Sequence, residues 1–343
     1  MKALQATRNG APFEVLEVTD IPVPEPGPGQ VLIKVDAASL NFNDIDRCYG
    51  RRISVPLEPP FTLGMDVCGT VHTCGEGTEH WQGRRVMALT QMAVGGLAEF
   101  ALASADAVFE APDSLTDAEA ASFIIPFHTA YLAIVQRAKI EKGETLLVHS
   151  GASSVGSAAI QIAKAHGLTV FATVSSQEKA NFCRELGADK VINHQTENFK
   201  QIVLAETSHV GAHVILDLAG GEFVEPSWGC VAREGRYVAA GFADDEENGH
   251  SGQALRPLCS ANFSVLGVML SYIGHMPPEI REFGFNMFTR DVGERVHVAL
   301  LELLAAGKIK PVLNRTVGLE EAATALRDQE QRKTSGRTVV TLG

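Results

Sequence analysis

The sequence has few cysteines and no long apolar run. Its six cysteines, at positions 48, 68, 74, 183, 230 and 259, are scattered over 343 residues without a CxxC pair. This usage argues for reduced thiols in the cytosol and against a disulfide framework. No apolar stretch is long enough to cross a bilayer, and residues 1–8 lack an apolar secretory core. We therefore expect a cytoplasmic protein without a membrane partner.

Basic residues are also under-represented. There are 29 Lys and Arg against 41 Asp and Glu, which gives a formal net charge of −12. An acidic surface of this kind argues against nucleic acid as a partner, although a local basic pocket for phosphates remains compatible with it. Because 343 residues exceed one typical core, we expect two domains.

Residues 1–122 are predicted to form a β-rich domain. Residues 30–36 alternate between apolar and polar, and 66–72 and 85–89 are short apolar runs between turns rich in Gly and Pro. Many short strands of this kind are typical of a barrel or sandwich. Residues 293–343 complete the domain, because their final strand, 337–342, is suited to rejoin it.

Residues 123–292 change to an alternation of strands and helices. Strands are predicted at 145–149, 169–174, 190–193, 213–217, 235–240 and 264–269, and helices at 154–166, 176–187, 196–206 and 221–233. The alternation predicts an α/β fold, a doubly wound parallel sheet of the Rossmann type.

The segment 145–164 indicates a dinucleotide site. An apolar strand runs through a turn of small residues directly into an amphipathic helix, so backbone N–H groups are left for a pyrophosphate. This interpretation predicts that Ser153, Ser154, Val155 and Gly156 contact the cofactor. Gly156 would allow the helix to pack closely on the strand.

The second strand indicates which cofactor binds. NAD-selecting folds usually end this strand with an acid that binds the ribose 2′-hydroxyl, whereas Ser175 and Lys179 follow it here. The hydroxyl and the ammonium group are suited to a 2′-phosphate, so we predict NADPH. The alternative is a helix-capping serine and a solvated lysine.

Further cofactor contacts are predicted where later strands end. The residues are Ala219, Gly241, Phe242, Val268, Leu270 and Arg337. Glycine at such a strand end lets the backbone approach a ribose. The alternatives are an ordinary turn for Ala219 and Gly241, a core strand for Val268 and Leu270, and a surface strand for Arg337.

Six short segments, in a fixed order, resemble motifs of one enzyme superfamily. They are residues 37–44 (AASLNFND), 60–71 (PFTLGMDVCGTV), 83–86 (GRRV), 95–100 (GGLAEF), 126–131 (PFHTAY) and the dinucleotide turn. Over its full length the chain resembles the medium-chain dehydrogenase/reductase superfamily, and within it the zinc-independent quinone oxidoreductases. The resemblance implies that the β-rich domain is a GroES-like barrel.

The resemblance also implies roles for individual residues. Asn41 would donate a hydrogen bond to the substrate or position the nicotinamide, Asp44 would orient it, and Tyr49 would supply a proton or hydrogen bond. Thr129 would lie on the helix that reaches the nicotinamide, and His194 near the adenosine. Local sequence alone equally suits a turn residue at 41, a helix cap at 44 and a surface tyrosine at 49. The chain departs from the family at Ser153 and Ser154, where glycine is usual.

No metal is expected. Asn41 and Met65 stand where the resemblance would place ligands of a catalytic zinc, and no four-cysteine cluster follows residue 85. Cys68, His72 and Cys74 share one strand parity, but buried thiols and a turn histidine are the simpler interpretation.

The resulting prediction is an NADPH-dependent reductase of quinones or α,β-unsaturated carbonyls. The alternatives are an enoyl-thioester reductase on the same fold, and an NADPH-binding structural or sensor protein with little turnover. Residues 264–270 form an apolar, uncharged strand near the end of the predicted order. We expect a homodimer through this edge, unless the strand is internal or shielded.

Overall fold

The computed structural model describes residues 1–51, 57–241, 256–282 and 284–342. The chain forms two compact units. The first comprises Met1–Ile125, Ser271–His297 and Pro311–Gly343, and the second comprises Pro126–Leu270 and Val298–Lys310.

The strands, numbered in chain order, alternate with short helices in the first part of the chain. Strands β1 to β18 are Lys2–Ala6, Leu16–Asp20, Gln30–Ser39, Phe61–Thr62, Asp66–Cys74, Arg85–Leu89, Phe100–Ser104, Val108–Glu110, Thr145–Val148, Thr169–Val174, Lys190–Asn193, Ala212–Asp217, Val231–Ala239, Ser264–Gly267, Tyr272–Ile273, Phe288–Thr289, Leu313–Gly318 and Arg337–Thr341.

The longer helices all begin after residue 153. Helices α1 to α12 are Pro12–Val15, Phe42–Cys48, Asp117–Ala121, Thr129–Tyr131, Ser154–Ala165, Gln177–Glu185, Phe199–Glu206, Val224–Trp228, Arg256–Ala261, Pro278–Glu282, Arg290–Ala305 and Ala322–Glu330. Among the described helices, none has the length and hydropathy that a membrane span requires.

Strand β3 organises the first unit because it pairs along both of its edges. One edge pairs with β5, and the other pairs with β7 over Gln30–Lys34 and with β18 over Ala37–Ser39. The resulting seven-stranded sheet has the order β17-β18-β3-β5-β6-β8, with β7 joined to β3. The alternate side chains Val31, Ile33 and Val35 lie in the core. The last strand, β18, thus pairs with β3 within this sheet.

The segment 271–292 packs within the first unit, although the sequence pattern assigns it to the nucleotide-binding domain. The Tyr272 ring meets the Phe109 ring edge-on at 5.7 Å between centroids. The Gly274 N–H donates to the Asp106 carboxylate at 2.7 Å. These tertiary contacts join residues far apart in the chain, so the local pattern carries no sign of them.

The second unit contains a six-stranded sheet in the order β11-β10-β9-β12-β13-β14, in which every pair of neighbours is parallel. Strand β9 comes first in the chain and lies in the middle, so the chain winds outward from it in both directions. This is the doubly wound order of a Rossmann fold, which binds ligands at the carboxyl ends of its strands. All four residues of β9 are buried, as expected for a strand covered on both faces. The predicted fold class is confirmed.

One predicted helix in this unit is wrong in length. The pattern predicts a helix over 221–233, but α8 is confined to Val224–Trp228 and β13 already begins at Val231. Strand β13 starts early because the register of its pairing with β12 shifts. The shift adds residues to β13 before the part that pairs regularly. Local periodicity does not reveal such an insertion.

His297 on α11 is a buried titratable group of the first unit. It is 6 % exposed, its ring stacks on Phe109 at 4.7 Å between centroids, and its Nε2 lies 3.2 Å from the Glu110 carbonyl oxygen. Burial lowers the pKa of His297 from 6.5 to about 4, and the Arg290 charge acts in the same direction. Between these values the unfolded chain binds a proton that the folded chain does not. The free energy of unfolding therefore falls as the pH decreases through this window.

We expect this residue to remove about 3 kcal/mol of unfolding free energy between neutral pH and about pH 4. His297→Gln removes the titrating group, so its unfolding free energy should fall less over the same range. Urea unfolding monitored by tryptophan fluorescence at a series of pH values measures the difference. His72→Gln, at an exposed position on β5, is the matched control. Equal pH dependence in the wild type and His297→Gln would contradict the prediction.

Candidate functional site

The carboxyl edge of the parallel sheet gathers most of the residues predicted to bind a cofactor. Because β9 to β14 are parallel, the segments that follow them leave the sheet at this one edge. The predicted residues found there are Ser153, Ser154, Val155, Gly156, Ser175, Lys179, His194, Ala219, Gly241, Val268 and Leu270. Phe242 lies outside the described residues. Their contact with a cofactor stays a prediction.

The turn between β9 and α5 is built around two glycines. A Cβ on Gly156 would lie 2.4 Å from the Ser150 carbonyl oxygen, and one on Gly151 would lie 2.8 Å from the Ala172 Cβ. Ser153 is the N-cap of α5, and its hydroxyl accepts a hydrogen bond from the Gly156 N–H at 3.1 Å. Residues 154 and 155 are half-buried in the first turn of the helix. The turn is thus the close helix–strand approach that a bound pyrophosphate requires.

The end of β10 brings a hydroxyl and an ammonium group together. The Lys179 Nζ lies 3.5 Å from the Ser175 Oγ. Ser176 rather than Ser175 caps α6, because its hydroxyl accepts the Lys179 backbone N–H at 3.3 Å. Lys179 is half-buried and not a fully solvated side chain. The pair therefore presents a hydrogen-bond donor and a positive charge at the strand end.

His194 joins the ends of two strands. Its backbone N–H donates to the Val174 carbonyl at 3.0 Å, which links the residue after β11 to the end of β10. Its ring packs against Phe223 at 5.0 Å between centroids, and Phe223 stacks on Phe199 at 5.8 Å. His194 thus lies on an aromatic support at the predicted adenosine position.

A buried carboxylate shapes the turn that follows β12. One oxygen of Asp217 accepts the N–H groups of Ala219 and Gly220 at 2.8 and 2.9 Å, and the other accepts the Tyr237 hydroxyl. Burial raises the pKa of Tyr237, so its hydroxyl stays protonated as the donor. A Cβ on Gly241 would lie 2.5 Å from the Leu218 carbonyl oxygen. The two strand ends therefore approach closely, as predicted for a backbone that faces a ribose.

Three further predicted residues lie in the second unit without a distinctive polar environment. Thr129 is half-buried on α4. Val268 and Leu270 are half-buried after β14, on either side of the exposed Met269. Because β14 ends at Gly267, these two residues are not part of a core strand.

Asn41 is part of a buried polar network in the first unit. It is 5 % exposed and is the N-cap of α2. Its Nδ2 donates to the Ser39 carbonyl at 3.1 Å and to Asp66 at 3.0 Å, while its Oδ1 accepts from Arg337 at 2.8 Å. An amide has two N–H donors, so neither is left for a substrate oxygen. The geometry speaks against the predicted donor role, and the positioning role stays a prediction.

The surface location that we considered for Arg337 is wrong. Arg337 is 4 % exposed and contacts both oxygens of Asp66, at 2.9 and 2.7 Å. It also donates to the Ser39 hydroxyl at 3.0 Å. A buried guanidinium must be paired, and here Asp66 pairs it. Nothing in these surroundings supports its predicted contact with an adenosine phosphate.

The other two predicted catalytic residues lie at the two ends of α2. Asp44 is fully buried and accepts the N–H groups of Asn41 and Gly64 at 2.9 and 3.1 Å. Burial raises the pKa of Asp44, and the hydrogen bonds from these two N–H groups act in the opposite direction. The Tyr49 hydroxyl donates to Glu330 at 2.6 Å, and this hydrogen bond raises the pKa of Tyr49 to about 12. Asp44 thus fixes the start of α2, and Tyr49 joins its end to α12.

The sequence analysis missed the buried network around His149. The His149 Nε2 lies 2.8 Å from the Ser227 hydroxyl, which donates its hydrogen to the Phe223 carbonyl at 2.6 Å. The ring therefore donates from Nε2 to Ser227, and its Nδ1 lies 3.0 Å from the Thr173 hydroxyl. These two contacts hold the ring at the strand end that leads into the dinucleotide turn. A histidine within an otherwise apolar strand was the available signal.

The residues that we considered for a metal have other surroundings. Cys68 is buried with its Sγ 3.8 Å from Asp117, and the His72 ring packs near Phe100. Within the described ranges, no three His, Cys, Asp or Glu side chains are grouped as a metal ion requires. The absence of a metal stays a prediction.

Both parts of the chain match families of known proteins. Residues 27–113 match the family described as alcohol dehydrogenase GroES-like domain, and residues 154–284 match the family described as zinc-binding dehydrogenase. Quinone oxidoreductase from Sus scrofa is 30 % identical over 344 residues, which cover 100 % of this chain and 98 % of that protein. The solved structure of quinone oxidoreductase from Thermus thermophilus, also described in complex with NADPH, is 33 % identical with a TM-score of 0.80 over 100 % of both chains.

A second kind of relative is much longer. The mycocerosic acid synthase-like polyketide synthase of Mycolicibacterium smegmatis is 28 % identical over 335 residues, which cover 97 % of this chain but 15 % of that protein.

These similarities cover the whole chain and agree with the six motifs read from the sequence. The two family matches also follow the order of the β-rich unit and the parallel sheet. The chain therefore belongs to the medium-chain dehydrogenase/reductase superfamily and is an oxidoreductase of the quinone oxidoreductase-like type.

Proposed function

We propose that this protein is an NADPH-dependent reductase that transfers a hydride to a quinone or an α,β-unsaturated carbonyl without zinc. The observation that carries the cofactor choice is the Ser175–Lys179 pair at the end of β10. An acid at this place would bind a ribose 2′-hydroxyl and repel a 2′-phosphate, whereas a hydroxyl and an ammonium group suit the phosphate. The quinone oxidoreductases of pig and Thermus support the substrate class.

The chain's own residues fit a dinucleotide because the turn between β9 and α5 is packed closely. A Cβ on Gly151 or Gly156 would collide with neighbouring protein atoms, so these glycines let the helix begin directly beside the strand, and the N-terminus of α5 favours the charge of a pyrophosphate. The Asp217 carboxylate holds the N–H groups of Ala219 and Gly220, which sets the turn at the predicted ribose. Bound NADPH supplies the hydride, and these residues orient it and exclude water.

Reduction of a quinone or an enone makes a modest demand on the protein. These acceptors are already electrophilic, so a hydrogen-bond donor to the developing negative oxygen is sufficient in place of a Lewis acid. The amide of Asn41 is held by Ser39, Asp66 and Arg337 and is a poor metal ligand. This arrangement supports a zinc-independent reaction.

The second candidate is reduction of an enoyl thioester. The polyketide synthase of Mycolicibacterium smegmatis contains a region similar to nearly the whole of this chain, and its name indicates work on an assembled acyl chain. Both reactions add a hydride to a double bond conjugated with a carbonyl. The two candidates differ only in the substituent on the carbonyl carbon, which is a thioester sulfur in the second. Relative kcat/KM for free enones and enoyl thioesters separates them.

The test of the function is a panel of quinones, enones and enoyl thioesters assayed by NADPH oxidation. We expect steady turnover with a small quinone or enone, and the same rate after dialysis against a chelator. Elemental analysis of the purified protein should find no stoichiometric zinc. Chelation that abolishes activity, with recovery on addition of zinc, would refute the zinc-independent mechanism. No turnover with any acceptor would refute the reductase.

Lys179→Met should weaken NADPH binding by about 1–3 kcal/mol, the range of a charge-assisted hydrogen bond. NADH lacks the 2′-phosphate, so its dissociation constant should change little. Titration of cofactor fluorescence measures both constants. Lys164→Met is the matched control, because this lysine on α5 pairs with Asp189 at 2.8 Å. If Lys179→Met weakened the binding of NADPH and NADH equally, the assignment of Lys179 to the 2′-phosphate would be wrong.

We also propose a homodimer through the edge strand β14. In the part of the chain that the structure describes, this strand pairs only with β13. Val265 within it is 44 % exposed, and Met269 just after it is 38 % exposed. An uncharged edge of this kind is prone to pair with another strand, and a two-fold mate would cover it.

Light scattering should give a mass of two chains for the wild type, and Leu266→Asp should release monomers. Val210→Asp changes an exposed valine outside the strands and should leave the mass unchanged. A wild-type mass of one chain at micromolar concentration would refute the dimer.

A further inference from the structure

An open cavity of about 570 Å³ lies in the second unit, at the edge of the parallel sheet opposite to the predicted cofactor site. It is formed where α7 leads into β12 and where β13 begins. Strand β12 runs from Ala212 to Asp217, so about 17 Å of strand separates the two edges. A dinucleotide at the carboxyl edge therefore leaves this cavity free. Its lining includes Ser208, His209, Val210, His213, Arg233 and Glu234.

A bulge in β13 forms one wall of the cavity. The partner of Ala212 on β12 is Val231, but the partner of Val214 is already Arg236. Two steps along β12 thus correspond to five along β13, and the additional residues form the bulge 232–235. Bulges redirect side chains and are frequent next to functional sites. Here the bulge carries the charged part of the lining.

Three residues of the lining have a left-handed backbone. The angle φ is 49° at Ser208, 65° at His209 and 60° at Glu234. Residues other than glycine seldom adopt this region, and glycine is usual where a helix such as α7 ends. Two hydrogen bonds of 2.7 Å hold this backbone, from the His209 N–H to the Leu204 carbonyl and from the Glu234 N–H to the Asn262 carbonyl. Enforced strain of this kind is concentrated at ligand sites.

The lining combines a positive charge, a negative charge and an apolar side chain. Arg233 and Glu234 are exposed, and neither forms an ion pair among the residues that the structure describes. The Thr145 N–H donates to the Nδ1 of His213 at 3.1 Å, so this ring carries its proton on Nε2 and is a further donor. Val210 is 56 % exposed.

These groups narrow the class of ligand. Glu234 would repel a phosphate dianion, and the described side chains of His209, His213 and Glu234 do not form a group that could hold a metal ion. A simple carboxylate would use only Arg233, and a simple amine only Glu234. The two residues are adjacent, with Cα atoms about 3.8 Å apart. They therefore match a carboxylate and an ammonium group on the same carbon atom.

We propose that this cavity binds a free α-amino acid with an apolar side chain. The carboxylate of the ligand accepts hydrogen bonds from Arg233, its ammonium group donates to Glu234, and its side chain lies on Val210. The inference goes beyond the proposed function and does not depend on it, because the site lies at the edge of the sheet away from the predicted NADPH site.

Isothermal titration calorimetry with L-leucine tests the site. We expect one leucine to bind per chain, with the same dissociation constant in the presence of saturating NADPH. Arg233→Met and Glu234→Gln should each weaken the binding of leucine about ten-fold or more, as expected for the loss of a charge-assisted hydrogen bond. Arg315→Met, which removes an arginine paired with Asp328 on the surface, is the control and should keep the wild-type constant.

Two fragments of leucine assign each charge, and ligand-observed NMR measures their weaker binding. Isocaproate has the carboxylate and the side chain but no amine, so its binding should weaken in Arg233→Met and stay unchanged in Glu234→Gln. Isoamylamine has the amine but no carboxylate, so the pattern should reverse. Val210→Ser should weaken the binding of leucine more than that of free glycine, which has no side chain to contact residue 210.

The outcomes decide between this ligand and others. The absence of leucine binding at millimolar concentration overturns the inference, and so does equal affinity in the wild type and both charge variants. Competition between leucine and NADPH would place leucine at the carboxyl edge and overturn it as well. Binding of inorganic phosphate that requires Arg233, without binding of leucine, would show a simple anion site instead. If Arg233→Met does not fold, the response of isoamylamine to Glu234→Gln decides. None of these results bears on NADPH oxidation, which tests the proposed function separately.

Discussion

The buried ion pair between Arg337 and Asp66 is the constraint on which the first unit depends. Both side chains are at most 4 % exposed, so neither charge is tolerable without the other. Arg337 belongs to the last strand and Asp66 begins β5, and Ser39 and Asn41 accept further hydrogen bonds from Arg337. The pair therefore joins the end of the chain to the start of α2. Removing one partner would leave a charge in the core, at a cost of about 3–5 kcal/mol.

This pairing has a chemical consequence. Once the amide of Asn41 is used to satisfy a buried charge, it is not available as a donor, and its value is to set where α2 begins. Asp44 reinforces that start by binding two backbone N–H groups. The helix then carries Arg47 on its next turn, where the guanidinium supports residues 92 and 93.

In the second unit, buried polar groups are likewise held by hydrogen bonds, but fewer of them are charged. The buried Asp217 carboxylate accepts three hydrogen bonds, two from backbone N–H groups and one from the Tyr237 hydroxyl. The His149 ring lies between the hydroxyls of Thr173 and Ser227, within hydrogen-bond distance of both. Both groups lie at strand ends, so the hydrogen bonds fix the turns at the predicted cofactor site. Preorganised backbone of this kind needs little rearrangement when a dinucleotide binds.

The sequence by itself determined the elements whose signals are local. The strands of the parallel sheet were predicted to within a few residues, except β13, because each is an apolar run bounded by turn residues. The dinucleotide turn was predicted because its small residues lie next to one another, and Ser175 and Lys179 because four residues on a helix start bring them together. The overall family was recoverable because its motifs follow in a fixed order.

Only the tertiary structure decided how the polar groups are partnered. Asn41 forms hydrogen bonds with Asp66, 25 residues later in the chain, and with Arg337, 296 residues later. No local sequence pattern predicts contacts between residues so far apart in the chain. The same holds for segment 271–292, which Phe109 and Asp106 bind from far along the chain. Whether a buried polar residue is a donor for a ligand or a partner for a charge depends on which hydrogens are already used. That is decided when the chain is folded, because side-chain hydrogen bonds are satisfied in space and not along the sequence.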